Sequence, residues 1–310
     1  MEQTQTIVID RLPTRTWNRL KVNEAVLPWD TAGSVDLGTD AYDAVQHPAL
    51  CLTVGGQGDY SHRTVRLSAP EGTAMTAIEC YENTGNLSVE TVLEIGKNAR
   101  IRLIQVQLSK PGTILRTAVT GTCAEGGKAE LIQIFPGNGD VYADSRVDLT
   151  GDGSALQADI GYLGQSSQTV DLNLAVNHFG KKTESEISAA GALKDGAQKV
   201  FRGTIDFKTG SAGSVGSEQE TVLMLGEDAI NKTVPLILCA EENVEGTHGA
   251  TIGELDEQTL FYFESRGFDR QTAENMMARA ALERLARMID DPQTREKIFK
   301  AIGGQDDDEL

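Results

Sequence analysis

A mainly β protein with a helical C-terminal end is predicted by three observations. Between about residue 60 and residue 250 the chain repeats short alternating runs rich in Val, Ile, Leu and Thr. Each run closes on Gly, Asp, Asn or Ser, residues that favour turns. After Gly253 the apolar period changes from two to about 3.6, and the change coincides with residues that start and stop helices.

The alternation is clear in Thr91-Val92-Leu93-Glu94-Ile95, in Ala129-Glu130-Leu131-Ile132-Gln133-Ile134-Phe135 and in Val170-Asp171-Leu172-Asn173-Leu174-Ala175-Val176. Such a run sends one set of side chains to a core and the other to solvent. Many short strands in series imply a sandwich, a barrel or a solenoid. The pattern leaves all three open, because no strict repeat is visible and the spacing drifts between turns such as Gly151-Asp152-Gly153 and Gly210-Ser211-Ala212-Gly213.

Three helices are expected beyond Gly253. Asp256 is placed to cap the first, Leu260, Phe261 and Glu264 follow at helical spacing, and Gly267 stands where a glycine ends a helix. A second starts after Asp269, with Met277, Ala280, Ala281, Leu285 and Met288 as its apolar stripe. A third has Asp291 as cap and Pro292 at the first helical position, running to Gly303-Gly304. The chain therefore divides into a mixed N-terminal cap (1–60), a β core (61–253), a helical region (254–304) and a disordered acidic tail (305–310).

Net charge is −18, from 46 acidic and 28 basic residues. A surface of that sign repels phosphate backbones and anionic membranes, which argues against nucleic-acid and membrane partners. The N-terminal residues carry no basic start followed by an apolar stretch, and no window approaches the ~20 apolar residues of a membrane span, so a cytoplasmic location is expected. Cys51, Cys80, Cys123 and Cys239 are scattered without a C-x-x-C pair, which points to reduced thiols. No G-x-x-x-x-G-K-[ST] occurs, so the chain is not expected to bind a nucleotide itself, and it carries no signal for or against a flavin.

The segment from Phe201 to Met277 carries an ordered set of motifs. Phe201-Arg202-Gly203-Thr204-Ile205 and Val234-Pro235-Leu236-Ile237-Leu238 are two strands; Thr247-His248-Gly249-Ala250-Thr251-Ile252-Gly253 is a histidine turn; Leu255-Asp256-Glu257, Leu260-Phe261-Tyr262 and Ser265-Arg266-Gly267 follow in register. This order resembles the C-terminal signature of the SufB/SufD family of iron-sulfur cluster assembly scaffolds. The close likeness covers roughly residues 200 to 280, loosens back to about residue 110, and is almost absent from residues 1 to 100.

The resemblance selects the solenoid among the three β architectures, since it implies a right-handed parallel β-helix, with coils taken as about twenty residues each. It implies a scaffold and not an enzyme. The implied partners are an ABC-type ATPase, SufC, and either a SufB-like subunit or a second copy of the chain. It also implies a transiently held iron-sulfur cluster as cargo.

Residue by residue, it points to His248, whose imidazole can bind iron, and to Cys239, the cysteine inside the matched block. Glu220 falls where the SufB branch carries its sulfur-accepting cysteine, and Glu220 and Cys239 are expected on neighbouring coils facing the same way. Gly249 stands where SufB has a glutamate, and Gly246 where many SufD proteins have a cysteine, so SufD is the nearer description. Phe261, Tyr262, Arg266, Met276 and Met277 are the residues implied to dock SufC. His178 reads as structural. Two other classes compete: a polysaccharide-active β-helix enzyme, disfavoured by the N-terminal sequence, and a β-solenoid interaction module without cluster chemistry, for which His248→Ala would be harmless.

Overall fold

The computed structural model describes residues 6–16 and 18–303. The tail expected to be disordered, 305–310, lies outside the described residues. The short strands β1 (Thr6–Ile9) and β2 (Ala25–Pro28) pair antiparallel. Sixteen further strands follow: β3 (Val35–Asp43), β4 (Ala49–Val54), β5 (Tyr60–Ala69), β6 (Ala74–Tyr81), β7 (Asn86–Ile95), β8 (Arg100–Gln107), β9 (Ile114–Cys123) and β10 (Lys128–Phe135) form the first half. The second half is β11 (Asp140–Leu149), β12 (Ala155–Gly164), β13 (Thr169–His178), β14 (Glu184–Leu193), β15 (Gln198–Phe207), β16 (Val215–Met224), β17 (Ile230–Cys239) and β18 (Glu245–Gly253).

Odd strands β3 to β17 make one eight-stranded sheet and even strands β4 to β18 the other. Every neighbour pair in the two sheets is parallel, so the chain winds as a β-solenoid of eight coils. The structure chooses the solenoid among the three architectures compatible with the alternation. Arg100, Lys128, Ala155, Glu184, Val215 and Glu245 are successive register partners, which sets coils of 27 to 31 residues. The expected twenty-residue coil is therefore too short, because each turn carries two long strands and two corners.

The drifting spacing has a physical source at one corner. Gly72, Asn98, Gly126, Gly153, Lys182 and Gly213 all have positive φ, between 52° and 79°. The amide of each donates to a carbonyl in the next coil, as Gly126 does to Asp152 and Gly153 to Lys181. Glycine adopts this left-handed conformation without penalty, and Asn98 and Lys182 adopt it because the coil-to-coil bond holds them there. The corner column keeps register even though the residue count per coil varies.

Inward residues such as Leu67, Leu93, Leu103, Leu131, Val147 and Leu172 fill the interior of the stack. The β1/β2 pair lies on the outer face of the odd sheet, where Ile9, Leu27 and Trp29 meet Tyr60, Ile114 and Tyr142. Residues 35–54, within the stretch assigned to the N-terminal cap, supply the first two strands of the stack.

The helices begin and end at the residues the sequence marks. Helix α1 (Glu257–Ser265) is capped by Asp256, α2 (Arg270–Ala286) by Asp269 and α3 (Pro292–Ala301) by Asp291, each cap carboxylate accepting from the amide three residues on. Helices α2 and α3 run back over the outer face of the even sheet, burying Leu282, Leu285, Ile298 and Phe299 against Ile78, Ile104, Ile132 and Ile134. The expected stripe on α2 is corrected. Of its five residues only Leu285 is buried, while the face toward the sheet is Ala273, Ala278, Leu282, Leu285 and Ala286. Alanines occupy both faces of α2, so spacing alone does not orient it, and the two leucines do.

Candidate functional site

The last two coils place three of the expected residues, Glu220, Cys239 and His248. On β16 the alternation turns Gly216, Glu218, Glu220 and Val222 into the interior. On β18 the register sets His248 over Glu218 and Ala250 over Glu220. Strand β18 is the edge of its sheet and is exposed along almost its whole length.

Glu220 is fully occupied. Lys199 on β15 donates to its Oε1, the Tyr162 hydroxyl donates to the same oxygen at 2.9 Å, and the Thr233 hydroxyl donates to Oε2 at 2.6 Å. Neither Lys199 nor Glu220 has any side-chain exposure. Burial lowers the Lys199 amine from its ordinary range, and the Glu220 charge opposes that shift.

Glu218, two residues earlier, is in the opposite condition. It is only 3% exposed, and neither carboxylate oxygen has a hydrogen-bond partner. Burial, and then repulsion from Glu220, push its carboxyl up to about 7 against the pull of Lys199. Gly203, the glycine of the Phe201–Ile205 motif, makes the space: a Cβ there would sit 2.9 Å from Glu218 Cδ.

That contact also locates Cys239. Gly203 faces Glu218 across the interior, and one coil on, Pro235 lies over Gly203 and His248 over Glu218. Pro235 therefore stands opposite His248. Cys239 is four residues further along β17, about 13 Å of strand away. It registers with Phe207, is exposed, and its thiol donates to the Glu241 carbonyl at 3.0 Å. The expectation that Glu220 and Cys239 face the same way from neighbouring coils is corrected: they sit on different sheets, because their separation of nineteen residues is short of a full coil. Among the described residues no group of three or more His, Cys, Asp or Glu side chains is arranged to hold a metal.

A second surface lies beyond β18. Phe261 is 70% exposed and Tyr262 52%, with the Arg266 guanidinium 4.5 Å over the Tyr262 ring. Phe268 and Met277 are also exposed, and Met276 is half-buried. Large apolar side chains left in water on one helix are unusual for a surface that meets nothing.

His178 is structural, as expected. Its ring is fully buried, with Nδ1 2.7 Å from Thr183 Oγ1 and Nε2 2.9 Å from Ser185 Oγ, and it packs on Phe207. Neither Glu218 nor Lys199 belongs to a motif, yet the alternation signals both: Glu218 and Glu220 share one face of β16, and Lys199 shares the inner face of β15 with Phe201.

The family model described as the SUF system FeS cluster assembly, SufBD core domain, matches residues 52–281. The chain belongs to the SufBD family. SufD of Bacillus subtilis is 28% identical over 244 residues, covering 75% of this chain and 55% of that protein. SufD of Escherichia coli is 22% identical over 253 residues, covering 80% and 60%. A SufBD family protein of Mycobacterium tuberculosis is 26% identical, covering 80% and 57%. The chain thus spans little more than half the length of these SufBD relatives. The matched span contains all of β5 to β18, α1 and the first two-thirds of α2, so the last-coil residues and the exposed aromatics of α1 both fall inside it. Among the described residues no helix is long and apolar enough to cross a membrane.

Proposed function

We propose that this chain is a scaffold subunit of an iron-sulfur cluster assembly machine, without catalytic turnover of its own. It pairs through its last coil with a second copy or a SufB-like subunit. It docks an ABC-type ATPase of the SufC kind through α1 and the start of α2. The cargo is a transiently held cluster, with His248, Cys239 and Glu220 as the family-matched residues.

The observation that carries this reading is the contrast between the edge strand that opens the first coil, β3, and the edge strand that closes the last, β18. At the first coil, β3 is broken by a register shift between Asp36 and Thr39 and lined by Asp36, Asp40 and Asp43. Bulges and charges of this kind discourage strand pairing. At the last coil, β18 is nine residues long and regular, contains no proline, and has Glu245 as its one acidic residue. An exposed regular edge is a template for a second chain, and it holds His248 at its centre.

The α1 surface supports the ATPase role on different grounds. Phe261 stays exposed, Tyr262 and Phe268 stay exposed although each meets Phe263 edge-on, and Arg266 with its flat guanidinium on Tyr262 completes an aromatic-cationic anchor of the type enriched in interface hot spots.

Anaerobic co-purification with a SufC-type ATPase, followed by visible absorbance and iron analysis, tests the reading. Binding with a chromophore that His248→Ala abolishes is the expected result for self-pairing. Binding without a chromophore assigns the chain to a SufD-like role that needs a SufB-like subunit. No binding, with Phe261→Ala behaving as the parent, overturns the ATPase role and returns the chain to an interaction module without cluster chemistry.

A further inference from the structure

The interior of the last two coils holds one lysine and two carboxylates. Lys199 is committed to Glu220, which leaves the Glu218 carboxylate buried with no donor to either oxygen. A buried carboxylate without a partner is costly, and the surrounding groups supply no remedy. Across the interior it faces Gly203, and the next coil covers that glycine with Pro235, which has no N–H to give. The covering residue on its own sheet is His248.

His248 and Glu218 thus occupy adjacent rungs of one inward-facing row, the carboxylate within and the imidazole at the open end. Among the described residues the exposed His248 ring is hydrogen-bonded to no side chain. The stack closes this row from below with Ile187, the residue in register beneath Glu218. The row is therefore open only at the His248 end.

We infer that Glu218 and His248 form a binding site for a divalent transition-metal cation at the mouth of the last coil. Glu218 supplies an inner oxygen donor and balances its charge on the cation; His248 supplies an outer nitrogen. A mixed carboxylate–imidazole set suits Fe(II) and its stand-in Mn(II), whereas Mg(II) and Ca(II) favour all-oxygen sets. Two protein donors leave most coordination positions open to water or to a facing chain, so the cation is held loosely and can be passed on. The choice of iron as the physiological cation rests on the assembly role proposed above; the cation site itself rests on the stacking of Glu218 beneath His248. Glu220, two residues along, is excluded from the site by its three donors.

The test is Mn(II) binding to the purified, metal-free full-length chain, read by loss of the free-ion electron paramagnetic resonance signal with excess Mg(II) present to occupy acidic surface groups. A parallel anaerobic Fe(II) titration is read by calorimetry. The parent is expected to bind one Mn(II) per chain, and Glu218→Gln, which keeps shape and removes charge, to weaken it by about tenfold or more. His248→Ala is expected to weaken it also, while Glu186→Gln on the outer face changes nothing. Thermal melts of each variant separate loss of binding from loss of folding. Parent affinity retained in a natively folded Glu218→Gln, or no Mg(II)-resistant Mn(II) binding by the parent, overturns the site. Either result leaves ATPase co-purification untouched, so the site and the scaffold role fail separately.

Discussion

Lys199 and Glu220 form an ion pair with both side chains fully removed from solvent, with Glu220 in the inward column of the even sheet that holds Glu79, Gln105 and Gln133 in earlier coils. Tyr162 and Thr233 complete the acceptor side, so the pair is satisfied as a unit and not as two charges. Removing one member of such a pair leaves the other buried and alone, at a cost of about 3–5 kcal/mol. Glu220→Ala is therefore expected to destabilise the chain by that amount in urea unfolding. The double replacement Lys199→Met with Glu220→Leu should cost less than Glu220→Ala alone. Equal losses in both would show that the pair contributes packing and not charge balance.

His178 gives the fold an acid-sensitive point. Burial between Thr183, Ser185 and Phe207 lowers its pKa to about 4 from the ordinary value near 6.5. A base with a depressed folded-state pKa contributes stability that is present above its unfolded value and lost as pH falls toward the folded one. The window is thus from about pH 6.5 down to about pH 4, and the contribution lost is about 3 kcal/mol. The expected outcome is that His178→Gln is less stable than the parent at pH 7.5 and that the gap narrows by pH 4.5. A constant gap across that range would assign His178 to packing alone.

Asp10 has the opposite sign. It sits between β1 and β2 with φ 55°, is 1% exposed, and neither oxygen receives a hydrogen bond. Burial first, and then the neighbouring Asp171, raise its pKa well above the usual carboxylate range, since the Arg202 guanidinium is bonded to Asp171. A raised folded-state pKa means stability that is full below the unfolded value near 3.9 and lost as pH rises above it. Asp10→Asn removes the charge and suits a left-handed backbone. It should raise the melting temperature at pH 8 by a few degrees and have little effect near pH 3.5. A melting temperature unchanged at pH 8 would show that the N-terminal strand pair lifts off when Asp10 ionises.

Much of this architecture is written locally. Asp256, Asp269, Asp291, Pro292 and Gly267 mark helix ends through single-residue capping chemistry, and each stands where the sequence places it. Coil length is not local: it depends on how far a ten-residue strand and its corners travel before meeting their own sheet again, and no motif encodes that distance. For the same reason Glu220 and Cys239 read as neighbours in sequence and lie on different sheets. The orientation of α2 depends on what Leu282 and Leu285 meet, which is a contact with strands more than a hundred residues earlier. Glu218 is legible only once the inner face of β16 is known, because no motif contains it.

Gly161 is where that contact is decided. It points outward from β12 beneath α2, and a Cβ added there would sit 2.8 Å from Leu285 Cδ1 and 3.0 Å from Leu282 Cδ2. Both leucines are fully buried, so the helix must shift or the side chains must leave their rotamers. Gly161→Ala is expected to cost about 1–3 kcal/mol and Leu282→Ala about 2–5 kcal/mol. The two should be less than additive, because the new methyl fills part of the space the leucine vacates. Trypsin cleavage at Arg284 and Arg287 reads helix release directly: faster cutting in each single variant, with the double variant cut more slowly than Leu282→Ala. Additive losses, or cleavage unaltered in Gly161→Ala, would place the helix on the sheet by contacts other than this glycine.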